Sequence, residues 1–147
     1  GETAPRTGDE EPRVATFSRS MVLKTPPGAG GDPGPGTPWA SLAGIARPER
    51  FEAGVRAIRG EDPVLSIRPG DHADYGPRMV RRVLRALDGA KAGLLVTTAK
   101  DWIKLEALWD RTRPVVVADL EVSWGNDGTL PDLVGERLDA WKNSAAR

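Results

Sequence analysis

Residues 93–109, GLLVTTAKDWIKLEALW, decide the fold class of this chain. They begin with a short apolar run, residues 93–98, which is typical of a buried strand. The run leads directly into a predicted helix over residues 99–109. A strand followed at once by a helix is the building unit of a parallel sheet.

The same alternation continues on both sides of this stretch. Further strands are predicted at residues 39–45, 63–67 and 114–118, with the last of them continuing towards 124, and further helices at 48–59, from 77 onward and at about 131–142. A proline stands where each of these three helices should begin, a position that proline favours. We therefore predict an α/β fold with a mostly parallel sheet of about four to five strands and helices on both faces.

Residues 1–38 differ in composition from the rest of the chain, since they hold 7 of its 17 Gly and 7 of its 13 Pro. Residues 26–38, PPGAGGDPGPGTP, cannot sustain a helix or a central strand. We predict a disordered start, a strand or hairpin within residues 14–24, and a flexible Gly/Pro-rich linker. The predicted division is a flexible segment at residues 1–38 and an α/β domain at residues 39–147.

Composition excludes several classes of function. The chain has no Cys, which excludes a disulfide scaffold, a thiolate zinc site and a cysteine nucleophile, and its single His excludes a His-rich metal site. Its 21 Lys and Arg balance 21 Asp and Glu, so any contact with nucleic acid or an anionic membrane needs a local patch. There is no apolar run of membrane-spanning length and no signal-peptide pattern, so we expect a soluble, intracellular chain.

No phosphate-binding loop is recognisable in the sequence. Neither G-x-x-x-x-G-K-S/T nor G-x-G-x-x-G at a strand–helix junction occurs. The glycines of residues 30–36 alternate with prolines, which lack the backbone N–H groups that a phosphate requires. We interpret this stretch as a loop.

The first candidate motif is GIARPERF, residues 44–51, at a predicted strand–helix junction. Ligands bind at this edge of open α/β sheets. Gly44 allows a turn and a close approach of a ligand to the backbone, and Arg47 and Arg50 flank the helix start, where they can hold an anionic group. The alternative is a tight turn with solvated charges, and spacing alone favours that alternative.

The second candidate motif is DHADY, residues 71–75, in the loop after the second strand of the alternating region. His72 titrates near neutral pH, and a neighbouring carboxylate such as Asp71 can orient it for general-base catalysis. The alternative is a surface loop in which an aspartate caps the following helix.

The third candidate motif is TTAKD, residues 97–101. Thr98 and Asp101 have the spacing of a helix N-terminal cap, a role that needs no function. Lys100 stands in the first helical turn, where the helix dipole disfavours a cation, and so indicates an anionic partner.

A basic face is predicted on the second helix. It consists of Arg78, Arg81, Arg82 and Arg85. Such faces are usually only solvated, and the alternative is contact with anionic lipid headgroups.

Taken in order, the motifs GIARPERF, DHADY and LLVTTAKDWIKL resemble the C-terminal half of the tetraacyldisaccharide 4'-kinases, the lipid A 4'-kinases of Gram-negative bacteria. The resemblance covers about residues 39–124. The positions that match the family pattern are Gly44, Ile45, Arg47, Pro48, Arg50 and Phe51, then Asp71, His72 and Tyr75, then Thr97, Thr98, Lys100 and Asp101. The chain departs from the pattern at Pro69 and Gly70, where the family has Phe-Pro, and at Ala99, where it has Glu.

The resemblance implies a Rossmann-like C-terminal domain of a P-loop kinase. It implies transfer of the ATP γ-phosphate to the 4'-hydroxyl of a tetraacyldisaccharide 1-phosphate, with Mg²⁺, at the cytoplasmic face of the inner membrane. By the same match, His72 with Asp71 is the catalytic candidate. The substrate- or phosphate-binding candidates are Gly44, Arg47, Arg50, Thr98, Lys100 and Asp101.

The P-loop, the magnesium carboxylates and the membrane-anchoring helix of that family have no counterpart in this sequence. We therefore expect a fragment or split product that binds no ATP, Mg²⁺ or other metal by itself and is inactive alone. Its expected partners are a P-loop half, in the same or a separate chain, the lipid A precursor and the inner-membrane surface, with no nucleic acid. The alternative is a non-catalytic α/β binding or interaction module, which the departures from the family pattern favour slightly.

Overall fold

The computed structural model of the protein describes residues 17–70, 73–111 and 113–124. Its elements are β1 (Phe17–Lys24), β2 (Trp39–Leu42), α1 (Pro48–Arg59), β3 (Leu65–Ile67), α2 (Pro77–Ala90), β4 (Leu94–Thr98), α3 (Ala99–Leu105) and β5 (Val115–Trp124). The predicted alternation of strands and helices from β2 to β5 is confirmed. The helix predicted at residues 131–142 lies outside the described residues.

The strands form one sheet in the order β1-β5-β4-β2-β3, and the pairs β2–β3, β2–β4 and β4–β5 are parallel. The predicted mostly parallel sheet is therefore confirmed. From β2 the chain moves outward through α1 to β3, and α2 then carries it back to β4 on the other side of β2. The connections that follow β2 and β4 thus lead away from each other, which makes the carboxyl ends of these two neighbours a topological switch point.

Helices cover both faces of the sheet, as predicted. Successive side chains of β4 show this, since Leu95 packs in the cluster that includes Leu87 of α2, whereas Leu94 and Val96 pack in the cluster that includes Val55 of α1. The period of two along a strand produces this alternation. Both faces are therefore apolar, as the continuous apolar runs in the sequence require.

The starts of the two long helices are set by proline. Pro48 and Pro77 each occupy a first helical position, where the missing N–H costs nothing. The helix α1 ends at Gly60, whose φ of 78° is left-handed and whose N–H donates to the carbonyl of Arg56 at 2.7 Å. The helix α3 ends at Leu105, four residues before the predicted end. Leu105 and Trp109 are both buried, as a helical pair would be, so their spacing does not reveal where the helix stops.

The Gly/Pro-rich stretch, residues 26–38, is irregular, as predicted, but it is bonded to the rest of the molecule. Ala29 is 2% exposed and its carbonyl accepts from the N–H of Val115 at 3.0 Å. The Pro38 carbonyl accepts from the N–H of Gly93 at 2.8 Å. Because β1 also belongs to the sheet, the sheet extends N-terminal to residue 38. The predicted division between residues 1–38 and residues 39–147 stays a prediction.

Residues Met21–Glu121 form one compact unit, which contains all three sequence motifs. A second unit consists of Gly1–Ser20 and Val122–Arg147, of which the structure describes residues 17–20 and 122–124. In that part the hydroxyls of Ser18 and Ser123 share a hydrogen bond of 2.6 Å. Within the described residues, no helix has the length and apolar character needed to cross a membrane.

Candidate functional site

A buried carboxylate stands at the switch point of the sheet. Asp101 lies in the first turn of α3, directly after β4, and is 1% exposed. Its N–H donates to Thr98 Oγ1 at 3.1 Å, and this hydroxyl donates in turn to Asp101 Oδ2 at 2.6 Å. The predicted capping role of Thr98 is therefore confirmed.

The same carboxylate joins two other segments of the chain. The N–H of Gly44, just beyond β2, donates to Asp101 Oδ2 at 3.0 Å. The hydroxyl of Tyr75, in the loop between β3 and α2, donates to Asp101 Oδ1 at 2.6 Å. Asp101 thus accepts hydrogen bonds from all three sequence motifs, and these bonds hold the motifs at one edge of the sheet. We call Gly44, Tyr75, Thr98 and Asp101 the Asp101 junction.

A glycine is required at position 44 because the neighbouring side chains leave no room for a Cβ atom. A Cβ atom at this position would lie 2.6 Å from the Tyr75 hydroxyl oxygen, closer than real Cβ atoms come, and 3.0 Å from Asp101 Oδ1, a tight contact. The sequence suggested that Gly44 leaves room for a ligand, but in the structure Tyr75 and Asp101 fill that room. Ligand binding by Gly44 stays a prediction.

Tyr75 has a structural role that the sequence does not reveal. It is the only Tyr of the chain and matches the family motif, but no local pattern indicates its bond to Asp101. Burial, and after it the hydrogen bond to Asp101, raise the pKa of Tyr75 well above its usual range, so its hydroxyl stays protonated and donates. The Lys104 ammonium lies 4.8 Å from the centre of the Tyr75 ring, a cation–π distance.

Three exposed cations stand beside the junction in the sequence. Arg47 and Arg50 lie at the start of α1, after β2, and Lys100 lies in α3, after β4. Across residues 17–70, 73–111 and 113–124, no side chain pairs with any of these three cations. They are accordingly available to an anionic ligand.

Asp71 and His72, the catalytic candidates, lie outside the described residues, and their role stays a prediction. The residues on either side of them are described. The N–H of Ala73 donates to the carbonyl of Gly70 at 2.9 Å, and Tyr75 is bonded to Asp101. Tyr75, three residues after His72 in the sequence, is therefore held at the Asp101 junction.

A second buried carboxylate belongs to Glu52 of α1, a residue that no sequence motif identifies. It is 6% exposed, and its Oε1 accepts from Ser41 Oγ at 2.6 Å while the Arg68 guanidinium donates to Oε2 at 3.3 Å. Burial acts to raise the pKa of Glu52, but hydrogen bonds from Ser41 and Ser66 together with Arg68 outweigh it and lower the pKa. The available signal was a serine inside the apolar run of β2, whose hydroxyl needs a partner.

The described residues do not fit a resident magnesium ion. They contain no group of three or more His, Cys, Asp or Glu that could hold a metal. Both oxygens of Asp101 already accept hydrogen bonds, and the Gly44 N–H, a possible phosphate donor, is used by Asp101. The described part of the chain therefore supplies exposed cations and the Asp101 junction. It does not supply a set of side chains and free N–H groups that would hold a metal–triphosphate complex.

The relatives found by comparison with known proteins are all named tetraacyldisaccharide 4'-kinase. The chain is 40% identical to the tetraacyldisaccharide 4'-kinase of Geobacter metallireducens over 56% of its own length and 24% of that protein's. Identity to the tetraacyldisaccharide 4'-kinase of Gluconacetobacter diazotrophicus is 35% over 76% of this chain and 32% of the relative. The Maricaulis maris protein of the same name is 32% identical over 74% of this chain and 30% of its own length.

These matches cover less than a third of each of these relatives. No solved structure matches the chain. The family model described as tetraacyldisaccharide-1-P 4'-kinase matches residues 9–139, which is most of the chain. The three motifs that meet at Asp101 lie within that match, and the chain belongs to the tetraacyldisaccharide-1-P 4'-kinase family.

Proposed function

We propose that this chain forms part of a lipid A 4'-kinase, which transfers the γ-phosphate of ATP to the 4'-hydroxyl of a tetraacyldisaccharide 1-phosphate at the cytoplasmic face of the inner membrane. The observation that carries the proposal is the Asp101 junction. One buried carboxylate ties three family motifs together at the switch point, the edge at which ligands bind in open α/β sheets. Family membership supplies the reaction class.

In this proposal the exposed cations bind phosphate. Arg47, Arg50 and Lys100 follow the carboxyl ends of the neighbouring strands β2 and β4 and have no partner among the described side chains. Guanidinium and ammonium groups in such positions offset the negative charge of phosphoryl groups. Their part is to orient an anionic substrate, while the hydrogen bonds of the Asp101 junction hold the three motifs together.

The proposed proton acceptor is His72, oriented by Asp71. The 4'-hydroxyl oxygen attacks the γ-phosphorus, the bond from that phosphorus to the bridging oxygen of ADP breaks, and the hydroxyl proton passes to the imidazole. The bond from Tyr75, three residues beyond His72 in the sequence, to Asp101 supports this assignment, because it brings the motif that contains His72 to the switch point.

The proposal assigns ATP binding and magnesium to a P-loop half, in the same or a separate polypeptide. We infer that the 147-residue chain alone does not turn over ATP, since its sequence contains no G-x-x-x-x-G-K-S/T motif. ATP turnover by the purified chain contradicts this inference.

The test is reconstitution of the chain with the P-loop portion of one of its relatives, either by fusion or by co-expression. Transfer of radiolabelled phosphate from ATP to a tetraacyldisaccharide 1-phosphate is the readout. We expect His72→Ala to lower kcat far more than it raises KM, because proton transfer belongs to the transition state. Asp74→Asn is the matched control, since Asp74 lies in the same loop, is exposed and is not a family-motif position.

An unchanged kcat in the His72→Ala enzyme removes His72 from the mechanism. No transfer by any reconstituted form, with the chain folded and bound to the P-loop portion, favours the alternative of a non-catalytic interaction module. Full activity of an Asp101→Ala variant contradicts the role of the Asp101 junction.

A further inference from the structure

Four arginines form a stripe along α2, which we call the arginine face. Its members are Arg78, Arg81, Arg82 and Arg85. Steps of three and four residues place them side by side on one side of the helix, and all four are exposed. The other side, which carries Val80, Val83 and Leu87, is buried in the core. Packing of the apolar side therefore fixes the helix so that the arginine face points away from the sheet.

Among the described residues, no carboxylate is paired with the arginine face. The only acidic residue in α2 is Asp88, which is ion-paired with Arg113. Asp74, whose carboxylate lies beside Gly76 just before the helix, is exposed. Throughout the part of the chain that the structure describes, no group bonds to any of the four guanidinium groups. The chain as a whole has a formal net charge of +0, so this positive field is local.

A groove lies beside one edge of the arginine face. Its volume is about 720 Å³, and Arg78 and Arg82 line it together with apolar side chains that include Ile67, Met79 and Val83. Arg68, which is paired with Glu52, and the exposed carboxylate Asp74 also line it. A groove with apolar walls beside guanidinium groups matches a ligand that has an anionic head and an apolar body.

We propose that the arginine face docks on a bilayer that contains anionic phospholipids, with the guanidinium groups bonded to lipid phosphates. Arginine binds phosphate oxygens in a bidentate manner and is weakly hydrated, which suits a membrane surface. Nucleic acid fits less well, because α2 carries no aromatic side chain on which bases could stack. The inference rests on the inner-membrane location in the proposed function and assigns a surface of the chain to it. Vesicle binding tests that surface separately, because it requires no catalysis.

The test is co-sedimentation of the whole 147-residue chain with vesicles. Vesicles of phosphatidylglycerol mixed with phosphatidylcholine are expected to bind the chain, and vesicles of phosphatidylcholine alone are not. Binding is expected to weaken as salt is added, because salt screens exposed charges. Each basic residue near an anionic surface contributes about fivefold to partitioning, so Arg81→Gln with Arg85→Gln is expected to weaken binding about 30-fold.

The matched control removes two positive charges elsewhere, by Arg56→Gln on α1 and Lys91→Gln after α2. Both residues are exposed, and neither belongs to the arginine face. We expect this control to bind within about threefold of the unchanged chain. The charge-preserving pair Arg81→Lys with Arg85→Lys is expected to keep most of the binding, and circular dichroism shows whether each variant is folded.

Three results overturn the proposal. The first is equal binding to vesicles with and without phosphatidylglycerol. The second is equal loss of vesicle binding in the arginine pair and in the control pair, or no loss in either. The third is tighter binding of duplex DNA than of the mixed vesicles at the same salt concentration, which assigns the arginine face to nucleic acid. None of these results bears on kinase activity, which the reconstitution measures separately.

Discussion

At the scale of single residues, the packing of the Asp101 junction requires a glycine, which has no side chain, at position 44. We expect Gly44→Ala to lower the free energy of unfolding by about 1–3 kcal/mol, since the new Cβ would lie 2.6 Å from the Tyr75 hydroxyl oxygen. Urea unfolding followed by circular dichroism measures the change. Tyr75→Phe removes that oxygen, so the double variant should lose less than the sum of the two single losses.

The control for this substitution is Gly89→Ala in α2, where nothing lies within 4 Å of the added Cβ. Alanine favours a helix over glycine by about 1 kcal/mol, so this variant should gain stability. A Gly44→Ala protein as stable as the unchanged chain contradicts the close packing at the junction.

Glu52 makes the stability of the fold depend on pH. Its pKa in the folded protein is lowered from 4.5 by the hydrogen bonds of Ser41 and Ser66 and by Arg68, although burial opposes them. In this range the unfolded chain binds more protons than the folded one, so this contribution is present above pH 4.5 and is lost as pH falls through the lower folded-state pKa. Glu52→Gln should cost about 1–3 kcal/mol at pH 7.

Urea unfolding of both proteins at several pH values between neutral and acid checks this. The difference between the unchanged chain and Glu52→Gln should be largest at neutral pH and shrink as the pH falls below 4.5. A difference that stays constant with pH shows that the carboxylate charge of Glu52 does not stabilise the fold. Asp62→Asn, at an exposed carboxylate, is the control and should change stability little at any pH.

At the scale of elements, the short helix α3 depends on its cap. Seven residues are too few for a helix that is stable by itself, so its first turn needs outside support. We expect Thr98→Ala to cost about 1–2 kcal/mol, because the side chain that accepts from the Asp101 N–H is lost. Thr98→Ser keeps the hydroxyl and should retain most of that stability. Thermal unfolding distinguishes the two variants, and equal losses in both would show that the methyl group rather than the hydroxyl matters.

The elements were largely predictable from the sequence, whereas the contacts between them were not. Pro48 and Pro77 mark helix starts through their own backbone geometry, a local property that composition and spacing reveal. Asp101 also has a local signature, since it stands three residues after its cap. Its bonds to Gly44 and Tyr75 join residues 57 and 26 positions apart, and no local pattern encodes that pairing. The family motifs identified the three segments but not the carboxylate that joins them.

At the scale of the whole molecule, the N-terminal segment shows which structural features amino-acid composition cannot predict. Gly and Pro correctly exclude helix and central strand from residues 26–38, but they do not indicate whether a loop is free or packed. The buried Ala29 and its bond to Val115 are contacts with a strand far away in the sequence. The same holds for β1, whose Met21 and Leu23 pack on the cluster around Phe51.

This packing leads to a prediction about shortening the chain. Deletion of residues 1–38 should lower the thermal midpoint and promote self-association, because it removes β1 from the edge of the sheet beside β5 and uncovers apolar side chains. Thermal unfolding and size-exclusion chromatography measure both effects. Deletion of residues 1–16, which keeps β1, is the control. If residues 39–147 alone are monomeric and as stable as the control, the predicted division at residue 38 is correct and β1 is dispensable. If they self-associate, the folding unit includes the strand that the sequence assigned to a flexible segment.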